Sequence, residues 1–179
     1  HVVRLKGGDP FIFGRGSEEM SFAESFGIPT FCVPGISSAM AVPAYQGIPV
    51  TKRCVSESFW VITGTTSDRE LSKDIALASK SSATVVILMG MSKLSQIVSL
   101  FQKESKGNTG IAIIQNGTTD QEKKGIGTID TIQDIVLDKK LSSPAIIIIG
   151  DVVSDSVKMK VFIKEQSTNF NKFAVYGKE

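Results

Sequence analysis

Thr84-Val85-Val86-Ile87-Leu88-Met89-Gly90 is an unbroken apolar run of strand length, and close behind it come Leu94, Ile97, Val98 and Phe101. The run reads as a strand covered on both faces. The second group, spaced three, four and seven residues apart, reads as a helix with one buried side. A strand that meets a glycine and then an amphipathic helix is the repeating unit of an α/β fold. The same alternation recurs on both sides of this stretch. Strands are expected at residues 2–5, 30–33, 59–63, 84–89, 111–115 and 145–149, with antiparallel additions at 125–129 and 157–163. The expected class is α/β with mostly parallel sheets.

Helix signals fall between these runs. Ser17-Glu18-Glu19 offers an N-cap serine and acidic first-turn residues, and Gly27 offers a stop. Ser67-Asp68-Arg69-Glu70 has the capping-box pattern for a helix toward Ser79, and Asp130-Thr131-Ile132-Gln133 starts another. The polar stretch 49–58 reads as a linker between two α/β lobes. The polar segment 165–179 reads as a weakly held tail.

Composition narrows the function. With 179 residues and 41% apolar residues the chain can withdraw roughly 70% of its unfolded surface from water. Lys plus Arg number 20 against 18 Asp plus Glu, a balance that does not point to nucleic acid. No apolar stretch reaches the ~20 residues of a membrane span. Cys32, Cys54 and a single His1 do not supply a four-ligand zinc set, so no metal is expected.

Three glycine-bearing loops follow expected strand ends: Lys6-Gly7-Gly8-Asp9-Pro10, Pro34-Gly35-Ile36-Ser37-Ser38 and Asn116-Gly117-Thr118-Thr119. Ligands of open α/β sheets bind beyond the carboxyl ends of strands, and glycines there let a ligand approach backbone amides. Asp9 offers a carboxylate to an ammonium group or to ribose hydroxyls. Each loop alone also reads as an ordinary turn, Asn116-Gly117 above all. Gly14-Arg15-Gly16 lacks the third glycine of a dinucleotide fingerprint, and no P-loop or nucleophile elbow is present.

The ordered set Val2 to Gly16, Val33-Pro34-Gly35-Ile36-Ser37-Ser38-Ala39, Gly47-Ile48-Pro49-Val50-Thr51, Met89-Gly90-Met91, Gln115-Asn116-Gly117-Thr118, Ser143-Pro144-Ala145-Ile146 and Gly150-Asp151-Val152-Val153 resembles the uroporphyrinogen-III C-methyltransferase family, within the tetrapyrrole methylases. The resemblance implies two α/β lobes with the active site between them. It implies transfer of methyl groups from S-adenosylmethionine to two pyrrole carbons of uroporphyrinogen III, giving precorrin-2 for sirohaem or cobalamin and leaving S-adenosyl-L-homocysteine. By motif position, Gly7, Gly8, Asp9 and Ile12 should line the methionine and ribose end of the cofactor. Ser37 and Ser38 form the second cofactor-binding pair. Met89, Gly117 and Ala145 should contact the adenosine portion. Arg4 and Arg15 are the cations expected to meet the substrate's carboxylates, while Lys6, Lys52 and Arg53 read as solvated surface. The family further implies a cytoplasmic homodimer, with no nucleic-acid or membrane partner.

Two departures stand out: Ser17 where the family commonly has glycine, and Lys52 where histidine is common. The family also begins with a strand and a glycine-rich loop for which no counterpart precedes His1. The expectation is therefore an N-terminally truncated chain: residues 1–55 the remnant of an N-terminal lobe, 56–164 a C-terminal lobe, and weak activity or none for the chain alone. The alternatives are a cofactor-binding module without catalysis, or a methylase of a later corrin intermediate, of a diphthamide precursor or of ribosomal RNA.

Overall fold

In a computed structural model, which describes residues 1–157, the chain forms one five-stranded sheet clad by helices. The elements run α1 (Gly16–Glu24), α2 (Ser38–Tyr45), β1 (Phe59–Thr63), α3 (Asp74–Ala78), β2 (Thr84–Leu88), a 3-10 turn (Met91–Lys93), α4 (Leu94–Lys103), β3 (Gly110–Gln115), β4 (Lys123–Thr128), α5 (Ile132–Asp138) and β5 (Ala145–Ile149), with residues 151–157 also helical. The sheet order is β1-β2-β5-β3-β4.

The unbroken apolar runs are buried on both faces, as the sequence predicts. Val85, Ile87, Ile111, Ile113, Ile147 and Ile149 point into one core layer with α3, α4 and α5. Their neighbours Val86, Ala112, Ile114, Ile146 and Ile148 point into a second layer with Ala39 and Val42 of α2, Ile48, Val152 and Val153. On α4 the four spaced residues Leu94, Ile97, Val98 and Phe101 are the buried ones, as their spacing predicts.

The α/β class stands, but the sheet is mixed rather than mostly parallel. Only β1 and β2 run parallel; β2–β5, β5–β3 and β3–β4 are antiparallel. A continuous apolar run reports cover on both faces and carries no strand direction, so it does not distinguish a mixed sheet from a parallel one. The hairpin partner β4 is antiparallel, as expected of it.

Two expected strands are absent. Residues 2–5 and 30–33 belong to no strand, and Val2 and Phe31 are 98% and 87% exposed. A strand exists through its ladder, and none of the five strands lies beside these segments. Two helix starts also shift. Arg15 in the left-handed region (φ 57°), not Ser17, is the N-cap of α1. The supposed capping box at 67–70 lies in a loop in which Arg69 has φ 62° and Thr66 exchanges hydrogen bonds with Glu70, so α3 begins only at Asp74. Of the expected strand at 157–163, Val157 is helical and the remainder, like the tail 165–179, lies outside the described residues.

Candidate active site

Asp9 joins the first two glycine motifs. Its Oδ2 accepts the Gly35 N–H at 3.0 Å across 26 residues of sequence, and its Oδ1 accepts the Phe11 N–H at 2.9 Å. These backbone donors, Gly35 foremost and then Phe11, hold the carboxyl below the usual carboxylate range. The loops touch so closely that a Cβ at Gly35 would lie 2.8 Å from the Gly8 carbonyl oxygen. Gly35 is therefore required by contact with Gly8. Ser37, two residues on, caps α2 by accepting the Ala39 N–H at 3.2 Å. Ser38 begins the helix.

From there α2 reaches the third motif. A Cβ at Gly117 would stand 2.5 Å and 2.8 Å from the two γ carbons of Val42, so the absence of a side chain lets the loop after β3 lie against the helix. On the other side of Gly117, Asn116 donates its N–H to the Pro144 carbonyl at 3.0 Å, and Gln115 pairs with Ala145. Leu88, which precedes Met89, lies opposite Ile146. Met89, Gly117 and Ala145 thus share one end of the sheet, the carboxyl ends of β2 and β3.

An open cleft of about 450 Å³ separates the N-terminal loop from the sheet end. Pro10, Phe11, Phe13 and Arg15 line one wall, and Thr63, Thr65, Thr66, Ser67 and Met89 the other. Its size is that of a small-molecule site. Met89 is half exposed into it, has φ 56°, and accepts the Thr65 hydroxyl on its carbonyl at 2.9 Å. Of the expected site residues, Arg15 and Met89 line this cleft directly. Gly7, Gly8, Asp9 and Ile12 belong to the loop leading into its wall. Ser37, Ser38, Gly117 and Ala145 connect to it only through the Gly35 junction and α2.

Both expected substrate cations are engaged by α1. Arg15 donates from Nε and Nη2 to Glu18 at 2.9 Å and 2.7 Å, and this bond keeps its guanidinium firmly protonated. Arg4 lies 3.3 Å from Glu19, which also accepts Lys6 at 2.6 Å; Lys6 foremost lowers the Glu19 carboxyl. All three cations meet the first turn of one helix, and Lys6 is as much a part of this cluster as Arg4.

Sequence reasoning passed over Thr63, Thr65 and Thr66. Thr63-Gly64-Thr65-Thr66 is a fourth glycine-bearing loop at a strand's carboxyl end, so the rule that selected the other three would have found it.

A family model described as Tetrapyrrole (Corrin/Porphyrin) Methylases matches residues 1–133. The chain is 42% identical over 155 residues to the uroporphyrinogen-III C-methyltransferase of Methanocaldococcus jannaschii, covering 86% of this chain and 64% of that protein. It is 41% identical over 167 residues to the enzyme of the same name from Bacillus subtilis, covering 92% and 65%. It thus spans just under two thirds of the length of these relatives. Among solved structures it resembles the uroporphyrin-III C-methyl transferase of Thermus thermophilus complexed with S-adenyl homocysteine, with a TM-score of 0.73 and 28% identity over 86% of this chain and 67% of that one.

Proposed function

Because this chain belongs to the tetrapyrrole (corrin/porphyrin) methylase family, we propose that the whole protein transfers methyl groups from S-adenosylmethionine to two pyrrole carbons of uroporphyrinogen III, yielding precorrin-2. The observation that carries this reading is the Asp9 clamp. It brings the Gly7-Gly8 loop onto Gly35 beside a cleft of ligand size, in a chain whose relatives bear the name of that reaction.

The residues present suit such a cofactor. A Cβ at Gly7 would meet nothing within 4 Å, so its backbone is open to a ligand's polar groups. Each Asp9 oxygen accepts one backbone N–H and keeps further acceptor capacity for an ammonium or a ribose hydroxyl. Met89 presents an exposed thioether side chain, suited to an aromatic ring. On this reading Gly7, Gly8, Asp9 and Ile12 hold the methionine and ribose end, Ser37 and Ser38 flank it, and Met89, Gly117 and Ala145 take the adenosine portion.

When bound, S-adenosylmethionine supplies a sulfonium methyl open to direct displacement by an electron-rich carbon. The protein's task is then alignment and exclusion of water. The glycine junction fixes the cofactor side, while Phe11 and Phe13 give the cleft an apolar rim. Arg15, and Arg4 beyond it, exchange Glu18 and Glu19 for substrate carboxylates. An exposed ion pair contributes little, so that exchange costs at most a few-fold in affinity.

The test is incubation of the whole protein with uroporphyrinogen III and methyl-labelled S-adenosylmethionine. Two labels per tetrapyrrole are expected. Cofactor binding without transfer, or transfer only to a later corrin intermediate, would overturn the reading.

A further inference from the structure

We propose that Glu122, bridged to Gln46 and Lys124, is a positioning residue that holds loop 116–119 in its binding shape and so sets cofactor affinity. The proposal rests on the reading that this loop takes the adenosine portion of the cofactor. Asn116 and Thr118, on either side of Gly117, both have left-handed backbone, with φ 49° and 69°. For a β-branched residue such as Thr118 this is a steric outlier that persists only when its surroundings impose it.

Glu122 is placed to impose it. One carboxylate oxygen accepts the Thr118 N–H at 3.0 Å, and the other accepts the Gln46 side-chain amide at 2.7 Å. The Gln46 carbonyl oxygen in turn accepts the Lys124 ammonium at 3.0 Å, so the carboxylate is balanced by a cation through one amide. Bonds of this kind with an ionised partner are stronger than neutral ones. Of the other bonds, Thr119 Oγ1 and N–H to the Asn116 carbonyl tie the loop to itself, and the Asn116 N–H ties its first residue to the Pro144 carbonyl just before β5. Glu122 ties the strained Thr118 to the end of α2.

What it reaches is the helix that serves the other cofactor motif. Gln46 is 6% exposed and forms the C-cap of α2, whose N-cap is Ser37. One short helix therefore has the Gly35 junction at its first end and the Gly117 loop at its last. Glu122 and Gln46 are 76 residues apart in sequence, and the pair fixes the distance between the two halves of the binding surface.

The test is calorimetric titration of the whole protein and its variants with S-adenosylhomocysteine, alongside methyl-transfer kinetics. Glu122→Ala is expected to bind about tenfold more weakly and to raise the KM for S-adenosylmethionine by the same factor. The kcat and the KM for uroporphyrinogen III should stay in place. Glu122→Gln keeps an acceptor for Thr118 and should bind within about threefold of the parent. Gln46→Ala breaks the same link, so combining it with Glu122→Ala should add little. Unchanged affinity in Glu122→Ala would overturn the proposal, as would equal losses in kcat and in the KM for both substrates. If Glu122→Ala does not fold, Gln46→Ala decides by the same criteria. If the parent protein binds no S-adenosylhomocysteine, the cofactor reading itself has failed, an outcome distinct from a parent that binds and variants that bind equally well.

Discussion

Replacing Gly117 by Ala places a methyl group 2.5 Å and 2.8 Å from the Val42 γ carbons and 3.2 Å from Ile114 Cγ2. Carbon atoms rest at about 3.5–4.0 Å, so the closest contact is short by about 1 Å. Val42 cannot turn aside: it is β-branched on a helix, buried, and has both branches facing the loop. Either α2 or the loop must shift, and overpacking of this kind costs about 2 kcal/mol, or roughly thirtyfold in the folded-to-unfolded ratio. Val42→Ala alone removes two methyl groups' worth of burial and costs about 2 kcal/mol as well. In the double variant the added methyl refills the space that Val42 has left. Its stability should therefore match that of Val42→Ala alone, a coupling of about 2 kcal/mol. Urea denaturation of the four proteins measures this, and titration with S-adenosylhomocysteine follows the loop. Affinity should fall in Gly117→Ala and recover in the double variant. A double variant destabilised by the sum of the single changes would refute the claim that Gly117 is there to admit Val42.

Gly35→Ala brings a Cβ to 2.8 Å from the Gly8 carbonyl oxygen, backbone against backbone, and should weaken S-adenosylhomocysteine binding at least tenfold in titration calorimetry. An affinity within about threefold would show that the junction does not shape the site. Asp9 has a folded pKa below its ordinary 3.8, so its share of stability is complete above that value and disappears as pH falls through the lower one. The Gly35 amide resonance should accordingly titrate with a midpoint below 3.8, and a midpoint at or above that value would contradict the Asp9 clamp. Arg15→Gln should raise the KM for uroporphyrinogen III several-fold and leave that for S-adenosylmethionine unchanged, whereas Glu18→Gln, which frees Arg15, should lower it. Equal movement of both constants would remove Arg15 from the substrate side.

How much of this was legible in the sequence depended on whether the signal was local. Leu94, Ile97, Val98 and Phe101 announced α4 because helix spacing is contained in four residues. The runs at 84–88, 111–115 and 145–149 announced buried strands, but strand direction is set by connections and partners, which composition does not record. Residues 2–5 have strand-like composition and form none, because a ladder needs a neighbour. Ser67 to Glu70 matched a cap pattern, yet Thr66 and Glu70 satisfied each other in a turn instead. At the site, Gly7, Gly8 and Asp9 lie in a loop with no strand before it, whereas Met89 does follow the carboxyl end of β2. The work of Asp9 in binding Gly35, the packing of Gly117 on Val42 and the bridge from Gln46 to Glu122 are contacts between distant segments, for which no spacing rule exists.

The central claim is that the glycine junction and the sheet end beyond it form a cofactor site. Calorimetric titration of the protein with S-adenosylhomocysteine, with NAD as control, tests this most directly. Saturable binding of one equivalent of S-adenosylhomocysteine and no heat from NAD is the predicted result; no binding of the former, or comparable binding of both, would contradict the account.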